Sequence, residues 1–156
     1  QHADGRLALE RGDVDAWAGL DPLMAAAEIE SGAKLFHRKA EDNTWGVLNV
    51  REAFATENPA LVRKVIAAYE EARAYALANP ADLRATLVSY TKLSEAVIER
   101  QLTRTELTHS TIGDAQAQTI LAAGLALKEA GVLPATTDVK AVVDALLDRR
   151  FAAASN

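Results

Sequence analysis

Apolar positions along this chain change their spacing near residue 57. Before it, short apolar runs alternate with helical stretches; after it, apolar residues recur every three or four positions. Short runs rich in β-formers predict strands, and the three-to-four spacing predicts amphipathic helices. Val14 to Asp21 is expected to be a short strand that runs straight into a helix over Leu23–Ser31. Asp21 and Pro22 stand there as N-cap and first helical residue, the pairing that helix starts favour. Ala33–Phe36, after Gly32, and Trp45–Val50, behind a turn at Asn43 and Thr44, are the next two strand candidates. Leu9–Arg11 ahead of the first strand reads as a helix end with Gly12 as its closing residue.

Beyond residue 57 the pattern is helical throughout. Asn58-Pro59 opens a helix carrying Leu61, Val62, Val65, Ile66 and Tyr69 on one side, and Asn79-Pro80 opens another through Leu83, Leu87 and Val88. Three more follow: Ser94 to about Arg104, Ile112 or Asp114 to Ala130, and Asp138 to Phe151. The tail Ala152–Asn156 is small and polar and is expected to fray. Helix, turn, strand and helix follow one another within about 25 residues at the start of the chain, which predicts an α/β fold.

Composition narrows the function classes more than the fold. The chain has 156 residues, a net charge of −5 and no cysteine. The acidic balance argues against a nucleic-acid partner, and no apolar run reaches the roughly 20 residues that span a bilayer. Disulfides and thiolate metal sites are excluded. The opening Gln1-His2-Ala3-Asp4 lacks an initiator Met, which fits a processed protein or an internal piece of a longer one.

Chemistry-bearing residues are sparse. His2, His37 and His109 have no partner at ligand spacing, so neither a metal site nor histidine-based catalysis is expected. No glycine-rich phosphate loop and no nucleophile elbow occur, and no enzyme is expected. Glu28, Glu30, Glu70 and Glu71 read as solvated helix faces. Trp17 and Trp45 are either core plugs or ligand-packing aromatics. Asp21 is either a cap alone or a cap that also faces a cleft, where it would attract an amine and repel an anion.

The order of these features carries a resemblance. Ala8 through Ala18, then Asp21-Pro22 and Ala25 through Glu28, resembles the periplasmic substrate-binding proteins of ABC importers for aliphatic sulfonates, relatives of the taurine and nitrate binders. The likeness continues through Gly32–Leu35, Val50–Ala55 with Asn58-Pro59, Ala78–Ala81, and Gly131–Pro134. It implies the C-terminal half of a type II periplasmic binding protein with no cofactor. Residues 1–22 would be the end of a second lobe and the return crossing, and 23–151 the C-terminal part of the first lobe. Trp17, Asp21, Trp45 and Gly46 would lie near the ligand. The implied partners are a small anionic solute, a membrane permease and a missing N-terminal lobe. The implied location is the periplasm, or a lipid anchor outside a Gram-positive cell. Two positions depart from the pattern: Gln116 and Gln118 are separated where relatives carry adjacent glutamines, and Leu20 precedes Asp21 where they carry a bulkier polarisable residue. An exposed seam would favour a dimer of such a fragment. The alternative from another class is a free-standing helical protein-interaction module.

Overall fold

Helix boundaries in the computed structural model, which describes residues 2–42 and 45–151, follow local chemistry closely. The helices are α1 (His2–Arg11), α2 (Leu23–Ser31), α3 (Glu52–Glu57), α4 (Pro59–Ala78), α5 (Pro80–Thr91), α6 (Glu95–Leu102), α7 (Asp114–Glu129) and α8 (Val139–Leu146). Short 3₁₀ turns lie at Ala40–Asp42 and Arg149–Phe151. Gly12 and Gly32 close α1 and α2 at φ of +75° and +68°, a conformation in which a side chain would be strained. Ser94 caps α6 through its Oγ, which accepts from Val97 N at 3.4 Å, and Asp138 caps α8 by accepting from Ala141 N at 3.0 Å. Asn79, expected both to stop the helix before it and to open the next, does the first with its side chain: the amide donates to the Tyr75 carbonyl at 2.9 Å at the end of α4. It stands at the N-cap position of α5 without a side-chain cap bond.

The chain divides into two compact units. The first comprises residues 1–38 and 72–108. Its core is made of small side chains: Ala25 and Ala26 of α2 are fully buried against Val97 of α6, with Leu93 beside them. Three successive alanines, 25 to 27, let α2 approach α6 closely, because no long side chain holds the two backbones apart. The second unit comprises residues 39–71 and 109–156. There α7 packs on α8, and a Cβ at Gly124 would come within 2.5 Å of Val139 Cγ1. Val139 and Val143 of α8 are buried, while Val142 and Leu146 are more than half exposed.

The α/β expectation is overturned: among the described residues there is no strand and no sheet. Val14–Asp21, Ala33–Phe36 and Trp45–Val50 carry no regular structure. A strand exists only if a neighbouring backbone satisfies its N–H and C=O groups, and none of the three segments pairs with another described one. Their side chains are accordingly exposed: Leu35 41%, Phe36 81%, Val47 48%, Leu48 51% and Val50 45%. The six-residue helix α3 lies in a stretch before residue 57 to which the sequence pattern assigned no element. The turn predicted at Asn43 and Thr44 and the fraying predicted for Ala152–Asn156 fall outside the described residues. The last predicted helix is shorter than expected, because Leu147 leaves the helical conformation with ψ of 97° and a 3₁₀ turn follows.

Candidate functional site

The segment from Asp13 to Pro22 in the first unit gathers the chemistry. It leaves α1 at Gly12 and enters α2 through a cis Asp21-Pro22 peptide. Trp17 lies midway, and its indole fills a slot made by two glycines. A Cβ at Gly19 would sit 2.6 Å from Trp17 Cη2, and one at Gly5 of α1 would collide with Nε1 and Cδ1. The indole is half-buried, so one part packs on α1 and another meets solvent.

Asp21 has two partners on one oxygen. Its Oδ1 accepts from the Ala25 backbone N at 3.0 Å, and also from Arg104 Nη2 at 2.9 Å. The first bond caps the start of α2, but from one position further out than expected: the N-cap is Pro22 and the helix begins at Leu23. Arg104 follows the end of α6 and reaches a second carboxylate, with Nη1 donating to Glu28 Oε2 at 2.6 Å. All three side chains are largely buried, at 10% exposed for Arg104, 18% for Asp21 and 17% for Glu28. Arg104 Nε is buried with no acceptor among the described residues. Arg38 donates from Nη2 to the Arg104 carbonyl at 3.3 Å, which adds a second guanidinium to this corner.

Glu28 and Glu30 were both predicted to be solvated; Glu30 is exposed as expected, whereas the Glu28 side chain is only 17% exposed. Residues two apart on a helix point about 200° apart, so the two carboxylates reach different elements. Glu30 Oε2 pairs with Arg6 Nη2 of α1 at 2.8 Å, and Arg6 Nε also meets Glu10 at 2.6 Å. The Ser31 hydroxyl donates to the same Glu10 oxygen. That bond, together with Arg6, holds the Glu10 carboxyl below its ordinary range. Helix α2 is thus tied by acidic residues to arginines on both sides. No signal in the sequence singles out Arg104, which is 76 residues from Glu28 and 83 from Asp21.

Trp45 and Gly46 belong to the second unit. Trp45 is 39% exposed, and a Cβ on Gly46 would meet nothing within 4 Å, so no packing demand explains the glycine. In the same unit Arg63 and Arg150 stand 5.3 and 5.4 Å from the centre of the Phe151 ring, within cation–π range. Arg150 also pairs with Asp148 and keeps that carboxyl below its usual range. On α5 an open basin of about 700 Å³ is lined by Ala85, Thr86, Ser89, Tyr90 and Lys92, with Tyr90 86% exposed. Among the described residues no three His, Asp or Glu side chains converge as a metal site needs. No helix among them is long and apolar enough to cross a membrane.

Comparison with known proteins gives one partial likeness. Over 73 residues the chain is 34% identical to a protein of Escherichia coli (strain K12) named "Putative aliphatic sulfonates-binding protein". The matched stretch covers 46% of this chain and 23% of that relative, so the chain spans about a quarter of the relative it matches. No protein-family model matches the chain. No solved structure matches it either.

Proposed function

We propose that this chain is part of the solute-binding component of an ABC import system, and that its solute is a small organic anion such as an aliphatic sulfonate. The observation that carries the reading is the 34% identity to the sulfonate-binding relative. In this reading Trp17 offers the exposed part of its indole to the solute's alkyl portion. Asp21 sets the charge beside it, and Trp45 and Gly46 form a separate candidate contact in the second unit. Chain beyond this segment, forming a further lobe, supplies the remaining walls and most anion donors. A membrane permease receives the loaded protein on the outer side of the cytoplasmic membrane, whether in a periplasm or from a lipid anchor.

The test is calorimetric titration of the product of the complete reading frame with ethanesulfonate, taurine and nitrate. Saturable binding of an alkanesulfonate is expected, and no binding of any of the three overturns the proposal. A second reading, a helical interaction module, is favoured by one observation. In the second unit α4 leaves Leu61, Val65 and Tyr69, spaced four apart, at 48%, 45% and 57% exposure. That module predicts no solute binding in the same titration.

A further inference from the structure

We propose that Arg104 is a positioning and charge-setting residue for the Trp17–Pro22 segment, the one that makes this segment compatible with an anionic solute. The inference rests on the sulfonate reading above and deepens it, because it assigns the origin of ligand-charge preference to a residue far away in the sequence. Asp21 stands four residues from Trp17, and a bare carboxylate there would repel the anion that the indole is meant to pack against. Arg104 changes that balance in two ways. Its Nη2 holds Asp21 Oδ1 at 2.9 Å and offsets the negative charge. Its Nη1 holds Glu28 at 2.6 Å, so the guanidinium is locked in a fork by two elements of α2. Asp21, Glu28 and Arg104 together carry a net charge of −1. Without Arg104 the two carboxylates would leave a net charge of about −2 in a half-dry environment where screening is weak.

The geometry also fixes position. The Asp21 oxygen bound by Arg104 is the same one that accepts from Ala25 N at the start of α2. The guanidinium therefore orients the cap, and through it the last residues of the segment that carries Trp17. Arg104 touches no reacting atom in this account; it acts through Asp21.

Ligand charge separates this role from a merely structural one. In the complete reading-frame product, Kd for ethanesulfonate, an anion, and for taurine, a zwitterion, is measured in four proteins: wild type, Arg104→Gln, Arg104→Gln/Asp21→Asn, and Asp21→Asn. Arg104→Gln is expected to raise the ethanesulfonate Kd about tenfold and the taurine Kd far less, the effect of one uncompensated charge on a neighbouring ligand charge. The double variant returns to the wild-type count of charges and is expected to recover ethanesulfonate binding to within about threefold. Asp21→Asn alone removes one negative charge and is expected to shift preference toward ethanesulfonate. This single variant keeps the proposal testable where circular dichroism shows Arg104→Gln unfolded. An equal loss for both ligands in Arg104→Gln, or an unchanged preference in Asp21→Asn, overturns the proposal while leaving sulfonate binding intact. If the wild type binds no sulfonate, the functional reading falls and takes this inference with it.

Discussion

Replacing Arg104 by alanine tests whether the first unit is held together by charge as well as by small-residue packing. The change removes two charge-assisted hydrogen bonds, to Asp21 at 2.9 Å and to Glu28 at 2.6 Å, and leaves both carboxylates without a counterion. Breaking a buried ion pair from one side costs about 3–5 kcal/mol, mostly because the abandoned charge stays buried. Asp21 and Glu28 are each nearly a fifth exposed, so water recovers part of that, and the low end, about 3 kcal/mol, is expected. With a denaturant slope of about 2 kcal/mol per molar urea, the midpoint moves down by about 1.5 M. A Trp45→Phe background leaves Trp17 as the single tryptophan, so its fluorescence reports the unit in question. Smaller losses are expected at Asp21. Asn caps as well as Asp, so Asp21→Asn isolates the lost charge, about 1–2 kcal/mol, and Asp21→Ala loses the cap as well, about 1 kcal/mol more. Removing Asp21's charge should also relieve part of the damage in Arg104→Ala, so the double variant costs less than the sum. If Asp21→Asn equals wild type and Arg104→Ala shifts the midpoint by less than about 0.3 M, the ion triad is decorative and the reasoning fails.

Other positions give independent checks. Gly19→Ala puts a methyl where the Trp17 ring lies 2.6 Å away and is expected to cost about 1–3 kcal/mol, with Trp17 emission moving to the red as the indole is displaced. Unchanged emission and an unchanged urea midpoint would show that the slot has room. In the second unit, Gly124→Ala meets Val139 Cγ1 at 2.5 Å and is expected to speed amide exchange in α8 while leaving α2 and α6 untouched. Acid should loosen α1 from α2. The Glu10 carboxyl lies below its ordinary value of 4.5 in the folded chain, so the native state binds fewer protons there than the unfolded one. Its contribution is fully present above pH 4.5 and is lost as pH falls through the folded value, and Glu10→Gln should flatten that limb of a pH-dependent melt.

What the sequence disclosed and what it hid divide along one physical line. Features decided within a few residues were legible: glycines just past helix ends, helix starts at Ser94 and Asp138, and a capping carboxylate at Asp21. Features decided by distant partners were not. Ala33–Phe36 and Trp45–Val50 have the composition of strands, yet composition does not provide the neighbouring backbone that a ladder needs, and both remain without regular structure. Glu28 looked like one more charge on a helix surface until Arg104 arrived from 76 residues away. Trp17 was visible as an aromatic beside glycines, but Gly5, across the turn on α1, was needed to show that the indole has a fitted slot.

The exposed surface bears on why the strand-like segments are bare. Much of the uncovered area is apolar and sits in runs: Leu35 and Phe36 in one, Trp45, Val47, Leu48 and Val50 in another, and Leu61, Val65 and Tyr69 along α4. Scattered apolar residues on a surface are ordinary, but contiguous runs mark places that another surface covers. A solute-binding protein of which this chain is one part would cover such apolar runs with its remaining chain, a reading that the similarity over 73 residues to a sulfonate-binding relative supports. A free-standing module accounts for the exposed face of α4 but leaves the apolar run Trp45–Val50 bare. The exposure of that second run therefore favours the part-of-a-larger-binder reading over its rival.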